Sequence, residues 1–176
     1  MKIKVFLNPG HDPKRIPAEP GAVHPTRGTR ECDIALAAGK KIQQNLQNQG
    51  IECYLMQDDD LKKVCQTAND VRANIFVSIH CNASNEHTAR GTEVWYNTRI
   101  GKILAERVQN NILLAQPKAV DRGVKQTDDF YVLNRTFMPS ILVEMAFIDN
   151  DQDEELLTKE LEKYIYGITR GIMVYL

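Results

Sequence analysis

The sequence predicts an α/β fold, a three-layer sandwich in which helices cover both faces of a largely parallel, twisted sheet. Three observations carry that expectation. Short runs rich in β-branched residues alternate with stretches whose apolar residues recur at helical spacing. One run, Ile75-Phe76-Val77-Ser78-Ile79, is apolar almost throughout, as a strand buried on both faces must be. No Pro/Ser-rich linker or shift in composition interrupts the 176 residues, so residues 1–176 are expected to form a single domain with a core of its own.

Taken in order, residues 2–7 read as a short strand that stops at Pro9-Gly10. Ala35, Ala38, Ile42 and Leu46 share one helical face, which predicts a helix over Glu31–Asn48 with Thr29 as its N-cap and Gly50 as its stop. Residues 51–56 read as a second strand. Leu61, Val64, Ala68 and Val71 then mark a short helix. The buried run 75–79 is the third strand, and Thr92–Tyr96 follows Gly91 as the fourth. Leu104, Val108, Ile112 and Ala115 line a helix that Pro117 ends. Residues 130–133 and 140–145 read as two more strands. Leu157, Leu161, Ile165, Ile168 and Ile172 form the stripe of one final helix.

Composition narrows the function. With 22 basic and 23 acidic side chains the formal charge is −1, which excludes the broad positive field of a nucleic-acid binder. No apolar run approaches the length of a membrane span. The apolar stretch at residues 1–7 is closed by Asn8-Pro9-Gly10 too soon for a signal peptide. Cys32, Cys53, Cys65 and Cys81 form no CxxC pair, and a chain of this size needs no bridges, so all four are expected as free thiols.

Four residues stand where such a sheet collects its ligands, beyond the carboxyl ends of the strands. His11 follows the first strand, His80 ends the third, Glu144 lies within the last, and Glu31 opens the first helix. Each histidine has an ordinary reading as a hydrogen-bonded structural residue, and Glu31 as an acid favoured by the helix dipole. Glu144, flanked by Leu142-Val143 and Met145-Ala146, has no such reading, because a carboxylate on a buried strand is costly unless paired, protonated or near a metal. Two histidines plus a carboxylate is a catalytic zinc set, and a further carboxylate would be its proton shuttle. Asp58-Asp59-Asp60, ahead of Leu61, reads as a helix-start cluster rather than a calcium loop.

Six ordered segments sharpen this. Asn8-Pro9-Gly10-His11, the run from Arg30-Glu31 to Leu36, the run from Ala73 through His80-Cys81-Asn82-Ala83, Arg90-Gly91-Thr92-Glu93-Val94, Asp121-Arg122-Gly123-Val124-Lys125, and the run from Met138-Pro139 to Glu144 together resemble the zinc-dependent N-acetylmuramoyl-L-alanine amidases of the amidase 3 type. The resemblance extends from about Lys4 to Tyr175. It implies one zinc per chain held by His11, Glu31 and His80, with Glu144 as catalytic acid/base. It also implies cleavage of the amide between N-acetylmuramic acid and the L-alanine of the stem peptide, as an autolysin or endolysin would perform it. The chain departs from the family pattern at Asn8, which replaces an aspartate, at Asp12, which replaces a glycine, and at Cys81, where alanine is common. Asn8 is expected to accept an imidazole N–H through its amide oxygen. Cys81 is expected on the opposite face of the strand from His80.

Asn82, Arg90, Arg122 and Arg135 are the candidate substrate contacts; the 121–136 stretch is expected to form part of the cleft wall, with Arg122, Lys125 and Arg135 facing stem-peptide carboxylates, although for each basic residue solvated surface charge explains the sequence equally well. The expected partner is peptidoglycan, met by a monomer outside the cytoplasm at the cell wall, without nucleic acid or membrane. Two rival readings remain at this point. A zinc peptidase cutting another amide of peptidoglycan would need a carboxylate-binding arginine deep in its pocket, and none can be placed. A non-catalytic wall-binding module would have no use for Glu144 in a buried strand.

Overall fold

The computed structural model describes residues 2–14 and 18–176; Met1, the first residue of the apolar opening, lies outside them. The described elements run β1 (Lys4–Pro9), α1 (Glu31–Asn48), β2 (Glu52–Leu55), α2 (Leu61–Asp70), β3 (Ile75–Asn82), β4 (Thr92–Tyr96), α3 (Arg99–Ala115), β5 (Asp121–Gln126), α4 (Tyr131–Arg135), β6 (Ser140–Phe147), α5 (Asp151–Lys159) and α6 (Leu161–Tyr175). The strands form one sheet in the order β2-β1-β3-β6-β4-β5. β1, β2, β3 and β6 run parallel, whereas β4 pairs antiparallel with β6 and carries β5 parallel to itself.

Alternation along the strands sends side chains to two cores. Val5, Leu7, Ile75, Val77, Ile79 and Val143 pack beneath α1, α3, α5 and α6. Phe6, Phe76 and Leu142 pack beneath α2 and α4. The three-layer expectation therefore holds, and the central strands are apolar on both faces because helices cover both. α6 lies closest to α3 at Gly167 and Gly171, where a Cβ would come within 2.6 Å of the Ile112 Cα and 2.5 Å of the Val108 Cα. Backbone cannot retreat as a flexible side chain can. Gly171→Ala is therefore expected to cost about 3 kcal/mol, read as a lower urea midpoint at unchanged slope.

The structure corrects the sequence reading in four places. Residues 130–133 are not a strand: Tyr131–Arg135 is the short helix α4, and it buries Val132 and Leu133 together against the second core. An apolar run of this length carries no period long enough to tell strand from helix. β5 was not anticipated, because Asp-Arg-Gly-Val-Lys-Gln at a sheet edge offers a single apolar residue. The final stripe is broken at Glu160, whose carboxylate is held by Lys118 (2.5 Å), Lys163 (2.5 Å) and Gln116 (3.1 Å), so α5 and α6 are separate helices. Thr29 does not cap α1; its hydroxyl donates to Glu154 Oε1 at 2.6 Å. Instead, the Glu31 and Cys32 N–H groups donate to the carbonyls of Ala22 (2.9 Å) and Pro20 (3.1 Å). The loop before α1 thus takes the place of a side-chain cap and fixes where Glu31 begins.

Candidate active site

The ends of β1 and β3 and the first residue of α1 meet above the carboxyl edge of the sheet. His11 leaves β1 in the left-handed region (φ 59°), which turns its ring back over the strand ends. Glu31 is buried, at 3% exposure. Its Oε1 accepts from the Cys81 N–H at 3.0 Å and stands 2.9 Å from His80 Nδ1. Its Oε2 accepts from the Ala22 N–H at 2.8 Å and stands 3.3 Å from His11 Nε2. Each carboxylate oxygen is thereby aimed by one backbone N–H and faces one imidazole. Ligand atoms of His11, Glu31 and His80 lie within 4.8 Å of one another, the one such triple of metal-binding side chains among the described residues.

Two glycines make room for the three side chains. A Cβ on Gly10 would fall 2.2 Å from the His80 ring. One on Gly21, itself at φ +69°, would fall 2.4 Å from His11 and 2.5 Å from Glu31. Two imidazoles and one carboxylate are the donor set that suits zinc with a position left open. His80 Nε2 lies 3.1 Å from the Ser78 hydroxyl, which donates to Asn8 Oδ1 at 3.1 Å. A proton on Nε2 therefore finds an acceptor in Ser78, leaving the Nδ1 lone pair toward the site. Asn8 was expected to touch an imidazole directly; it acts one hydroxyl removed, because its side chain lies in register with Ser78 on β3.

The hydrogen bond to Glu31 raises the His11 imidazole above its usual range, more than burial lowers it. Burial pushes the Glu31 carboxyl up, but the hydrogen bonds and charges of His11 and His80 outweigh it and hold the group far below the usual carboxylate range.

Glu144 is the direct ladder partner of His80 on β6, so the two side chains share a face about 5 Å apart at the backbone. Its Oε2 is buried with no hydrogen-bond partner among the described residues. Burial raises its carboxyl well above the ordinary range, and the Glu31 and Glu93 carboxylates add to the shift. A buried carboxyl with an unused oxygen, beside a candidate metal, is equipped to take and return a proton. The register of β3 shifts just after His80, a bulge of the kind that re-aims side chains at active sites.

His11, His80 and Glu144 open onto a cavity of about 460 Å³, walled by Leu61 of α2, Tyr131 of α4 and Leu142 of β6, with Glu19, Asp58 and Asp59 on its rim. Asp60 caps α2 through the Lys63 N–H (3.0 Å), as the helix-start reading of that cluster expected. Cys81 points into the core on the far side of the sheet, where burial pushes its thiol well up; all four cysteines are free and buried.

None of the candidate substrate contacts lines this cavity. Arg90 is held on Asp153 (3.2 Å), Arg135 lies exposed over the Tyr131 ring, and Asn82 donates to Glu93 at 3.1 Å. Arg122 and Lys125 both bind Glu93 Oε2, at 2.6 and 2.5 Å. Glu93 is the residue that sequence reasoning passed over. It is 2% exposed on β4 and is the antiparallel ladder partner of Glu144. Burial pushes its carboxyl up, but the two cations together outweigh that and hold it below the usual range. Its signal was available: an acid between Thr92 and Val94 in a strand is as costly as Glu144 between Val143 and Met145.

Comparison with known proteins is consistent with this geometry. The sequence model of the family described as N-acetylmuramoyl-L-alanine amidase matches residues 5–173. The N-acetylmuramoyl-L-alanine amidase LytC of Bacillus subtilis is 34% identical over 167 residues, which cover 90% of this chain and 32% of LytC, so the chain spans about a third of that relative's length. Among solved structures, the amidase AmiC2 of Nostoc punctiforme superposes with a TM-score of 0.91 at 34% identity, covering 99% of this chain and 97% of that one. The catalytic domain of CwlV from Bacillus (Paenibacillus) polymyxa superposes with a TM-score of 0.89 at 31% identity, covering 99% and 98%.

Proposed function

The chain belongs to the N-acetylmuramoyl-L-alanine amidase family, and from that premise we propose that it is a peptidoglycan hydrolase cleaving the amide between N-acetylmuramic acid and the L-alanine of the stem peptide. The observation that carries this reading is the convergence of His11, Glu31 and His80 beside Glu144 at the floor of one cavity. His11 Nε2, a Glu31 oxygen and His80 Nδ1 would hold one zinc per chain. When bound, the zinc supplies Lewis acidity to the scissile carbonyl and to the attacking water. Glu144 takes the proton of that water on its unpartnered Oε2 and returns it to the departing alanine amine. Leu61, Tyr131 and Leu142 form the apolar wall beside the reacting amide.

Residues 1–176 are read as one catalytic unit that works as a monomer on the cell wall, outside the cytoplasm. No helix among the described residues is long and apolar enough to cross a membrane. The testing experiment is digestion of purified peptidoglycan with and without chelator, followed by mass analysis. Released stem peptides beginning with L-alanine, lost on chelation and restored by zinc, are the expected result. Peptides trimmed elsewhere would move the assignment to a peptidase.

The raised His11 imidazole sets a pH dependence for loading. Below its pKa a cation must displace the proton, so zinc affinity is expected to fall about tenfold per pH unit on acidification and to level off above that pKa. Competition with a chromophoric chelator between pH 5 and 8 measures it; a flat profile would contradict a competing proton on His11.

A further inference from the structure

We propose that Arg122 and Lys125, anchored on the buried carboxylate of Glu93, form a carboxylate-binding subsite that receives the free α-carboxylate of the second stem-peptide residue. The proposal rests on the amidase reading above and adds to it a direction for the peptide and a preference among stems.

The arrangement is built into β5 rather than left to flexible surface side chains. In a regular strand, residues three apart point to opposite faces. Thr92 pairs with Asp121 but Val94 pairs with Val124, so two residues of β5 stand opposite Glu93. Gly123, at φ +76°, occupies the extra position, and its N–H donates to Asp121 Oδ1 at 2.9 Å. The inserted residue brings Arg122 and Lys125 onto the same face, where both reach Glu93 Oε2. Asn82 Nδ2 and Trp95 Nε1 hold Oε1, each at 3.1 Å. Lys125 Nζ lies 5.1 Å from the centre of the Trp95 ring, and the Arg122 guanidinium 4.8 Å from that of Phe147.

Charge and reach identify the ligand. Two cations share one buried anion, and the neighbouring Asp121 carboxylate already accepts from Gln109 and Gly123. On the Glu93 face of the sheet the two cations outnumber the single carboxylate they share, Asp121 being held toward α3 by Gln109, and their side chains are 33% and 31% exposed. Arg122 spends Nε on Glu93 and Nη1 weakly on the Arg90 carbonyl (3.4 Å), which leaves Nη2 without a hydrogen-bond partner among the described residues and able to donate to a carboxylate. Across the sheet the order is His80, Glu144, Glu93, Arg122. From Glu144 to β5 is two strand spacings, roughly 10 Å. An extended peptide covers about 7 Å in two residues, and the arms of Arg122 and Lys125 make up the difference. A stem leaving the scissile amide toward β5 therefore presents its second residue, a glutamate linked through its side chain, to this shelf.

The test compares two synthetic muramyl-peptides, one with a free α-carboxylate and one with an α-carboxamide at the second stem residue. The zinc-loaded wild-type protein is expected to show a KM about tenfold lower for the carboxylate, a preference that shrinks in 0.5 M salt. Arg122→Met and Lys125→Met should each lower the KM ratio, and the double variant should bring it to about one. Lys125→Met keeps Arg122 on Glu93, so it reads the subsite even if the double variant does not fold. Equal KM values in the wild type, or a ratio that neither substitution moves, would overturn the subsite and leave both cations as braces for β5. Cleavage of neither peptide at the muramoyl–alanine bond would overturn the amidase reading itself, and this inference with it.

Discussion

Replacing Glu144 with Gln is expected to lower turnover on peptidoglycan by about 10³-fold while each chain still carries its zinc. General acid–base groups contribute of the order of 10² to 10⁴ in rate, and in the proposed mechanism one carboxyl serves both the attacking water and the leaving amine. The amide keeps the shape of the side chain, so the cavity between His80 and Leu142 is not opened. Because Glu144 Oε2 has no hydrogen-bond partner among the described residues, no protein contact is lost at that atom. Removing a group whose charged form is disfavoured by burial and by Glu31 and Glu93 should not weaken the fold. Turnover and metal content measured on one preparation decide the matter. Near wild-type turnover would take Glu144 out of the chemistry, and loss of zinc would mean that it helps to hold the metal.

Replacing His80 with Ala should remove both zinc and activity. The imidazole is fixed from two sides, by Glu31 at Nδ1 and by Ser78 at Nε2. Its loss strips a third of the protein donor set and leaves Glu31 with a single imidazole facing it. The informative comparison is Ser78→Ala, which spares every donor and removes only the acceptor that orients the ring. Loss of such an outer partner costs roughly 10- to 100-fold in metal affinity. The His80 variant should fall well beyond that range by direct zinc titration. Equal losses in the two variants would mean that the triple is held by packing rather than by the metal.

Several features of this protein were legible without coordinates. The spacing of Ala35, Ala38, Ile42 and Leu46 placed α1 at its observed bounds, and the unbroken run 75–79 marked a strand covered on both faces. Glu144 stood out because hydrophobic neighbours make a buried carboxylate expensive, an argument that needs only the residues beside it. The same logic applied to Glu93 would have drawn attention to it. α4 and β5 could not be read in this way, since neither has enough apolar residues to reveal a period.

What the sequence alone determined, then, was the burial of its strongly patterned segments and the identity of the few polar residues that such burial makes costly, because both follow from the free energy of taking a side chain out of water. The tertiary structure decided which of those residues meet. Glu31 faces His11 and His80 because the 20–22 loop starts the helix in place of Thr29, and Glu93 gathers Arg122 and Lys125 because β5 carries one extra residue at Gly123. Register, bulges and loop capping depend on hydrogen bonds between segments far apart in the chain, and no local pattern of hydrophobicity encodes them.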